Sequence, residues 1–162
     1  GTDMAKAPSA KAAVSSKGAP SKRNSKSSYV LDEHVGFILR QVSQRHSAIF
    51  ANAIGNNLTP TQWAALSKLA EVGPCSQNQL GRLTAMDVAT IKGVIDRLTA
   101  RGLTETSSDP TDGRRLLVSL TRAGQQMAEK TAPNALAITR ETLAPLDARE
   151  REALVALLGK LR

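Results

Sequence analysis

The stretch from Asp87 to Gly102 constrains the fold of this chain more than any other. Its apolar residues recur at intervals of three and four, which predicts a helix with one buried side. Asp87 is a suitable N-cap, because its carboxylate accepts hydrogen bonds from the free amides of a first turn, and Gly102 suits the left-handed residue that often ends a helix. The predicted buried stripe comprises Val88, Ile91, Val94, Ile95 and Leu98.

The other side of this predicted helix begins with small or hydroxylated residues and carries cations behind them. Bulky side chains would block close approach, so this composition suits a helix whose first turns enter a groove of DNA. The alternative interpretation is a surface helix packed on a small domain. The residues on this side are Ala89, Thr90, Lys92, Gly93, Asp96 and Arg97.

Two shorter helices are predicted before it. Thr59 caps the first, which begins with proline, and Ser76 caps the second, Gln77 to Thr84, with Leu80 and Leu83 expected to face inward. This succession predicts a helix-turn-helix, in which the last helix reads base edges and the one before it crosses the phosphate backbone. The candidates for backbone contact are Gln77, Gln79 and Arg82.

A β-hairpin is predicted next. Leu103 to Thr106 and Leu116 to Leu120 are β-prone runs, and a turn-rich loop separates them. Arg114 or Arg115 at the tip is suited to a narrow minor groove, where the negative potential is enhanced. Asp112 would orient Arg114 through a charge-assisted hydrogen bond. The alternative is a solvated loop whose local ion pair contributes little.

The run DPTDGRRLLVSLTRAG, which follows DRLTARGL, resembles the wing signature of the MarR family of winged-helix transcriptional regulators. The resemblance extends over Leu58 to Gly124. It implies a mainly α fold with a small β-hairpin wing, a winged helix-turn-helix that dimerises through its N- and C-terminal helices. It assigns Asp112 and Arg114 to the wing pair and Val88 to Arg97 to the major-groove helix, and it makes Thr121 the cap of the next helix. It also implies a homodimer on a pseudo-palindromic double-stranded operator, often released by a small aromatic or phenolic ligand.

The helices at either end fit that arrangement. Residues 29–54 are predicted to form one long helix, and its wide apolar side favours coverage by a second copy of the chain. Residues 121–162 are predicted to form two helices, the second capped by Asp147 and too apolar for an isolated surface element. The expected organisation is therefore one domain, 29–162, with the winged helix-turn-helix at 58–120.

Residues 1–28 are predicted to be a disordered basic tail. They contain six cations and one acid but few large apolar side chains, so burial cannot offset the entropy lost on ordering. Two interpretations stay open. The tail is a nonspecific DNA tether that gains affinity by counterion release, or it is a solvated leader.

A ligand site is expected near the first helix. The segment HVGFILRQVSQRH also resembles regulators of nicotinate catabolism, which implies a hydroxynicotinate-like effector. An anionic aromatic ligand requires a cation or neutral donor beside an apolar wall. Arg45, His46, Phe50 and Trp63 are the candidates, although His46 has an alternative interpretation as a core histidine with a satisfied ring.

Composition narrows the function further. The chain has 162 residues and a formal charge of +8, which favours a polyanionic partner, while an aromatic content of 2% disfavours a stacking platform for single-stranded bases. Cys75 is the only cysteine, and it does not lie in the first helix, where peroxide sensors of this family carry theirs, so it is interpreted as structural.

No catalytic constellation, metal-ligand spacing, phosphate-binding glycine loop or membrane span is recognised in the sequence. The prediction is a cytoplasmic, DNA-binding repressor that is not an enzyme and needs no metal or cofactor. The competing hypothesis is a nonspecific DNA-compacting protein of the nucleoid.

Overall fold

The computed structural model describes residues 28–162, so the predicted basic tail lies outside the described residues except for Ser28. A 3₁₀ turn at Leu31–Glu33 precedes the regular elements. These are α1 (Val35–Ala53), α2 (Pro60–Val72), α3 (Gln77–Leu83), α4 (Val88–Ala100), β1 (Thr104–Ser108), β2 (Leu116–Leu120), α5 (Arg122–Thr142) and α6 (Ala148–Lys160). The predicted mainly helical fold with a hairpin wing is confirmed.

The prediction of one helix over 29–54 is wrong at its start. The 3₁₀ turn ends at Glu33, the next residue, His34, has an extended backbone with φ −105° and ψ 136°, and α1 begins only at Val35. The Tyr29 ring stacks on the His34 imidazole with centroids 3.7 Å apart, and this contact accompanies the non-helical course of the chain. The described chain divides into compact units after Val42, so these contacts belong to the first unit.

The second unit, from Ser43 onward, contains the hydrophobic core, and one side of α4 is buried in it. Two expected core residues are exposed instead. Val88 is 68% exposed because it is the first residue of α4 and borders a surface groove with Asn78 and Arg82. Leu83 is 43% exposed and is the last residue of the short helix α3. The buried residues of α4 are Ile91, Val94, Ile95 and Leu98.

The helices α3 and α4 approach each other closely at Gly81. A β-carbon at this position would lie 3.1 Å from the Met86 carbonyl oxygen and 3.2 Å from Cγ2 of Ile91. Between the helices Ala85 adopts a φ of 57°, in the left-handed region, and the Met86 amide donates to the Gly81 carbonyl at 2.8 Å. The absence of a side chain at Gly81 therefore sets how closely the two helices of the motif pack.

All five predicted N-caps are present in the structure. In each, the side chain accepts a hydrogen bond from the amide three residues later, which satisfies one of the free donors of the first turn. Two of them, Thr59 and Asp147, form complete capping boxes with Gln62 and Glu150. The capping residues are Thr59, Ser76, Asp87, Thr121 and Asp147.

The predicted hairpin is also present, and its first strand extends further toward the tip than expected. β1 and β2 are antiparallel, with Thr104 opposite Leu120 and Ser108 opposite Leu116. Cys75 adds a bridge, because its amide donates to Val118 at 3.1 Å and its carbonyl accepts from Val118 at 2.8 Å. Burial raises the pKa of the Cys75 thiol, which disfavours the reactive thiolate and agrees with the structural interpretation.

The base of the wing is joined to α5 at Thr121. Its amide donates to the Leu103 carbonyl at 3.1 Å, and its hydroxyl donates to the Gly102 carbonyl at 2.6 Å. The same hydroxyl accepts from the Gly124 amide at 3.0 Å. A β-carbon on Gly124 would overlap the Leu103 carbonyl oxygen, so glycine is required where the end of α4, the hairpin and the start of α5 meet.

We expect Gly124→Ala to lower the free energy of unfolding by roughly 2–3 kcal/mol, because a backbone carbonyl cannot move aside as a side chain can. Chemical denaturation of the purified protein measures this change. Gly113→Ala is the matched control, since a β-carbon at Gly113 meets nothing within 4 Å. Equal stabilities of the two variants would contradict the packing described for this junction.

Candidate nucleic-acid interface and ligand pocket

The exposed side of α4 carries the residues predicted to read DNA. Ala89, Thr90, Lys92 and Arg97 are exposed, and Gly93 is half-buried. The Arg97 guanidinium lies over Gly93, where a β-carbon would be 3.1 Å from Nη1. The first turns of α4 therefore expose short side chains, with the cations Lys92 and Arg97 behind them, as the sequence predicts.

The N-terminus of α4 is held by Asp87. The Thr90 amide donates to the Asp87 carboxylate at 2.7 Å, and this hydrogen bond is the main reason that the pKa of Asp87 is lowered. The ionised carboxylate satisfies a free amide and compensates the positive end of the helix dipole. Asp87 therefore orders the first turn of the helix that carries the candidate contacts.

The candidates on α3 lie beside that turn. Gln79 and Arg82 are exposed, and Gln77 is half-buried. Arg82 and Val88 line the same surface groove, of about 320 Å³, between α3 and α4. The structure therefore brings the predicted backbone contacts and the start of the predicted reading helix onto one surface.

The wing loop distinguishes the two arginines that the sequence left as alternatives. The Arg115 Nε lies 3.5 Å from Asp109, whose carboxylate also accepts from the Thr111 amide and hydroxyl at 2.9 and 2.8 Å. The Thr111 amide is the main cause of the lowered pKa of Asp109. The Arg114 Nε lies at a similar distance, 3.4 Å, from Asp112, so the two side chains differ in exposure, 94% for Arg114 and 53% for Arg115.

These contacts give the two arginines different roles in the loop. The Asp109 carboxylate fixes the turn, and the Asp109 amide donates to the Arg115 carbonyl at 2.8 Å, which holds the Arg115 backbone in the loop. Arg114 is the cation that projects from the tip. Asp112 lies next to it as predicted, although an exposed pair at this distance contributes little to stability.

Three of the four predicted ligand residues line one pocket. His46, Phe50 and Trp63 line a partly open cavity of about 140 Å³, and residues of α5 complete its lining. The His46 Nδ1 is 2.8 Å from the Thr142 hydroxyl, so a hydrogen bond orients the imidazole. The α5 residues of the lining, which sequence analysis missed although their spacing places them on one helical side, are Ala135, Ile138 and Thr139.

Arg45 is not brought into this lining. Its guanidinium donates to the Thr142 carbonyl at 2.8 Å and to the Glu141 carbonyl at 3.0 Å. Both carbonyls belong to the last turn of α5, beyond the reach of the regular helical amides, and the Glu141 carbonyl also accepts from the Ala144 amide at 3.2 Å. The side chain expected to meet an anionic ligand therefore ties α1 to the end of α5.

Trp63 also lines a second cavity, of about 330 Å³, on the surface of α2 and α5. Glu71 and Glu129 belong to its lining. Glu71 is paired with Lys68 at 2.9 Å, but the Glu129 carboxylate would repel an anionic ligand, so the smaller His46 pocket is the better match to an aromatic acid despite its size.

The described residues contain no cluster of three or more potential metal ligands. No helix among them is both long and apolar enough to cross a membrane.

Comparison with known proteins identifies the family. Residues 56–115 match the MarR family. The HTH-type transcriptional repressor NicR of Pseudomonas putida is 41% identical over 134 residues, which cover 82% of this chain and 85% of that protein. The chain belongs to the MarR family. The prediction of a transcriptional regulator that is not an enzyme is confirmed.

Two solved structures share the fold. A probable transcriptional regulator from Pseudomonas aeruginosa is 61% identical, with a TM-score of 0.80, over 82% of this chain and 100% of that one. BpsR of Bordetella bronchiseptica, whose DNA binding is regulated by 6-hydroxynicotinic acid, is 43% identical, with a TM-score of 0.79, over 83% of this chain and 97% of that one.

The lowered pKa of Asp87 predicts a pH-dependent contribution to stability. A carboxylate with a depressed pKa in the folded state stabilises the protein above its unfolded pKa, about 4, and loses that contribution as the pH falls through the folded value. Asp87→Asn retains a cap but cannot titrate. We expect the melting temperature of the wild type to exceed that of Asp87→Asn near neutral pH and the difference to shrink below about pH 4. A difference that stays constant between pH 7 and 3 would contradict this role.

Proposed function

We propose that this MarR-family protein is a homodimeric, cytoplasmic repressor that binds a pseudo-palindromic DNA operator and is released by a small aromatic acid of the hydroxynicotinate class. The observation that carries the proposal is one continuous surface in which the low, exposed side of α4 lies next to the α3 candidates. Arg114, which projects from the tip of the wing, is a further exposed cation for DNA contact.

The proposed contacts divide by groove. The first turns of α4, with Val88, Ala89, Thr90 and Gly93, enter the major groove, where their small side chains permit close approach to base edges. Lys92 and Arg97 reach phosphates or bases behind them, and the α3 residues contact the backbone. Arg114 enters the adjacent minor groove, where phosphates on both sides strengthen its attraction.

The proposed dimer is supported by apolar side chains that the single chain leaves in solvent. In the first unit, Val35, Ile38, Leu39 and Val42 are exposed along the start of α1. In the second unit, the same is true of several residues near the C-terminus: Leu136, Val155, Leu157, Leu158 and Leu161. A second copy would remove these surfaces from water and set two reading helices about 34 Å apart, the spacing of successive major grooves.

The proposed effector site is the His46 pocket. Its volume of about 140 Å³ is below the roughly 300–1,000 Å³ of pockets for drug-sized ligands, which favours a single-ring compound. Phe50 and Trp63 offer aromatic walls, and the His46 imidazole, held at Nδ1 by Thr142, offers Nε2 to a ligand oxygen. The regulation of BpsR by 6-hydroxynicotinic acid supports this ligand class.

Release would follow from a shift in populations. A compound bound between α1 and α5 favours the arrangement of these helices that fits it best. It lowers DNA affinity only to the extent that it binds that arrangement more tightly than the DNA-competent one.

We expect Arg114→Ala to weaken binding to the DNA upstream of the protein's own gene by at least about 1 kcal/mol, because minor-groove and phosphate contacts supply much of the affinity. A fluorescence-anisotropy titration measures the change, and size-exclusion chromatography checks that the dimer persists.

Arg140→Ala is the control for this experiment, since it also removes one exposed arginine but from α5, outside the proposed contacts. Equal affinities of both variants would remove the wing from the interface. Wild-type binding that is unaffected by scrambling the palindrome would instead support nonspecific DNA compaction.

We expect His46→Ala to reduce the response to 6-hydroxynicotinic acid by about tenfold in effector concentration while leaving operator affinity nearly unchanged, since it removes a hydrogen-bonding group from the pocket. Effector affinity is measured by the fluorescence of Trp63, the only tryptophan of the chain. Glu129→Ala, in the second cavity, is the control. A normal response of His46→Ala together with a changed response of Glu129→Ala would move the effector site to that cavity.

A further inference from the structure

The loop between α1 and α2 has three hydrogen-bonded attachments, two to α5 and one to the end of α4. The side-chain amide of Asn134 (Nδ2), on α5, donates to the Ile54 carbonyl at 2.9 Å. The side-chain amide of Asn56 (Nδ2) donates at 3.0 Å to the hydroxyl of Thr131, which is also on α5 and is fully buried. The third attachment comes from Arg101, at the C-terminal end of α4. The loop is therefore bonded both to α5 and to the proposed reading helix.

The contact with Arg101 uses both terminal nitrogens of its guanidinium. Nη2 donates to the Asn56 carbonyl at 2.8 Å, and Nη1 donates to the Asn57 carbonyl at 3.0 Å. The two asparagines have φ values of 58° and 55°, in the left-handed region that asparagine tolerates better than most residues. This backbone turn offers two consecutive carbonyls to one guanidinium.

The same loop begins where the walls of the His46 pocket end. The Ile54 amide donates to the carbonyl of Phe50, a pocket residue, at 3.0 Å. On α5, Thr131 and Asn134 lie one helical turn before the pocket residues Ala135 and Ile138. A change in the spacing of α1 and α5 at the pocket would therefore also displace the loop to which Arg101 is hydrogen-bonded.

We propose that Arg101 is a positioning residue that transmits the state of this loop to α4 and so couples the pocket to the DNA-reading helix. The proposal rests on the proposed function and extends it to the route of regulation. Arg101 touches neither DNA nor effector in this scheme. It sets the C-terminal end of α4 through two carbonyls, while the buried side of α4 keeps the helix rigid enough to carry a shift to its N-terminal turn.

Lysine cannot replace arginine in this role. The planar guanidinium supplies two parallel donors in fixed geometry, whereas an ammonium group is a single flexible point of charge. Arg101→Lys therefore preserves the net charge that DNA binding requires but loses the paired grip on the loop.

A double-mutant cycle tests the coupling without any effector. Asn134→Ala loosens the loop on the α5 side, and Arg101→Lys loosens it on the α4 side. Operator affinities of the wild type, both single variants and the double variant are compared. We expect the effect of the double variant to differ by at least about threefold from the product of the single effects. Independent, multiplicative effects would overturn the proposal.

Hydrogen exchange on the DNA-free protein gives a second readout that does not depend on the proposed function. We expect Asn134→Ala to speed exchange in the loop and in the last turn of α4. In the Arg101→Lys background, the same change should affect the loop alone. A response of α4 that persists in that background would overturn the proposal, and failure of the wild type to bind operator would refute the proposed function instead.

Two further variants test whether misfolding or general destabilisation explains the result. Thr131→Val removes the hydroxyl that Asn56 contacts and replaces Asn134→Ala if that variant does not fold. Arg151→Lys is the control, because Arg151 also donates to two carbonyls, those of Leu143 and Leu146 at 3.2 and 2.8 Å, but through Nε alone and at the junction of α5 and α6. The same non-additivity with Arg151→Lys would show general destabilisation and would contradict a specific role for Arg101.

Discussion

Burial of one side of α4 is the constraint on which the rest of the structure depends. Ile91, Val94, Ile95 and Leu98 are all in the core, and burying each such side chain contributes roughly 1.5–3 kcal/mol. A helix anchored at four points over two turns cannot rotate about its axis without exposing apolar surface. The residues between the anchors are therefore held outward in a defined orientation. The same packing stabilises the domain and aims the surface proposed to read DNA.

Several of the arginines that make this chain basic donate hydrogen bonds to backbone carbonyls near helix ends. Arg45 binds carbonyls at the end of α5, Arg101 binds those of the loop after α1, and Arg151 binds those between α5 and α6. Such contacts orient helices relative to each other and leave the charge of the arginine in place. The total of 22 lysines and arginines therefore overstates how many cations are free to meet phosphates. Arg114 differs from these three arginines because its side chain is 94% exposed at the wing tip.

Sequence patterns predicted the features that depend on neighbouring residues. Four of the N-caps, the limits of β2 and the glycine ending α4 follow from local hydrogen bonds and backbone preference, and the structure has each of them. The fifth cap, Thr121, was implied by the family resemblance and is also present. Periodicity was less reliable at element ends. It placed Val88 and Leu83 in the core and continued α1 through His34, because an apolar pattern does not show where the packing surface stops. At the candidate pocket, His46, Phe50 and Trp63 were found, but the walls from α5 were not.

The sequence by itself determined the order of elements, the helix-turn-helix, the wing and the family, since each is encoded within a short window of residues. Only the tertiary structure decided which groups meet across the chain. Arg45, a ligand candidate, is hydrogen-bonded to the end of another helix instead. Arg114 and Arg115 differ in their contacts within the wing loop. Arg101 is hydrogen-bonded to loop residues that lie 44 and 45 positions away in the sequence. Contacts over such separations depend on how the helices pack, and no local pattern of residues specifies that packing.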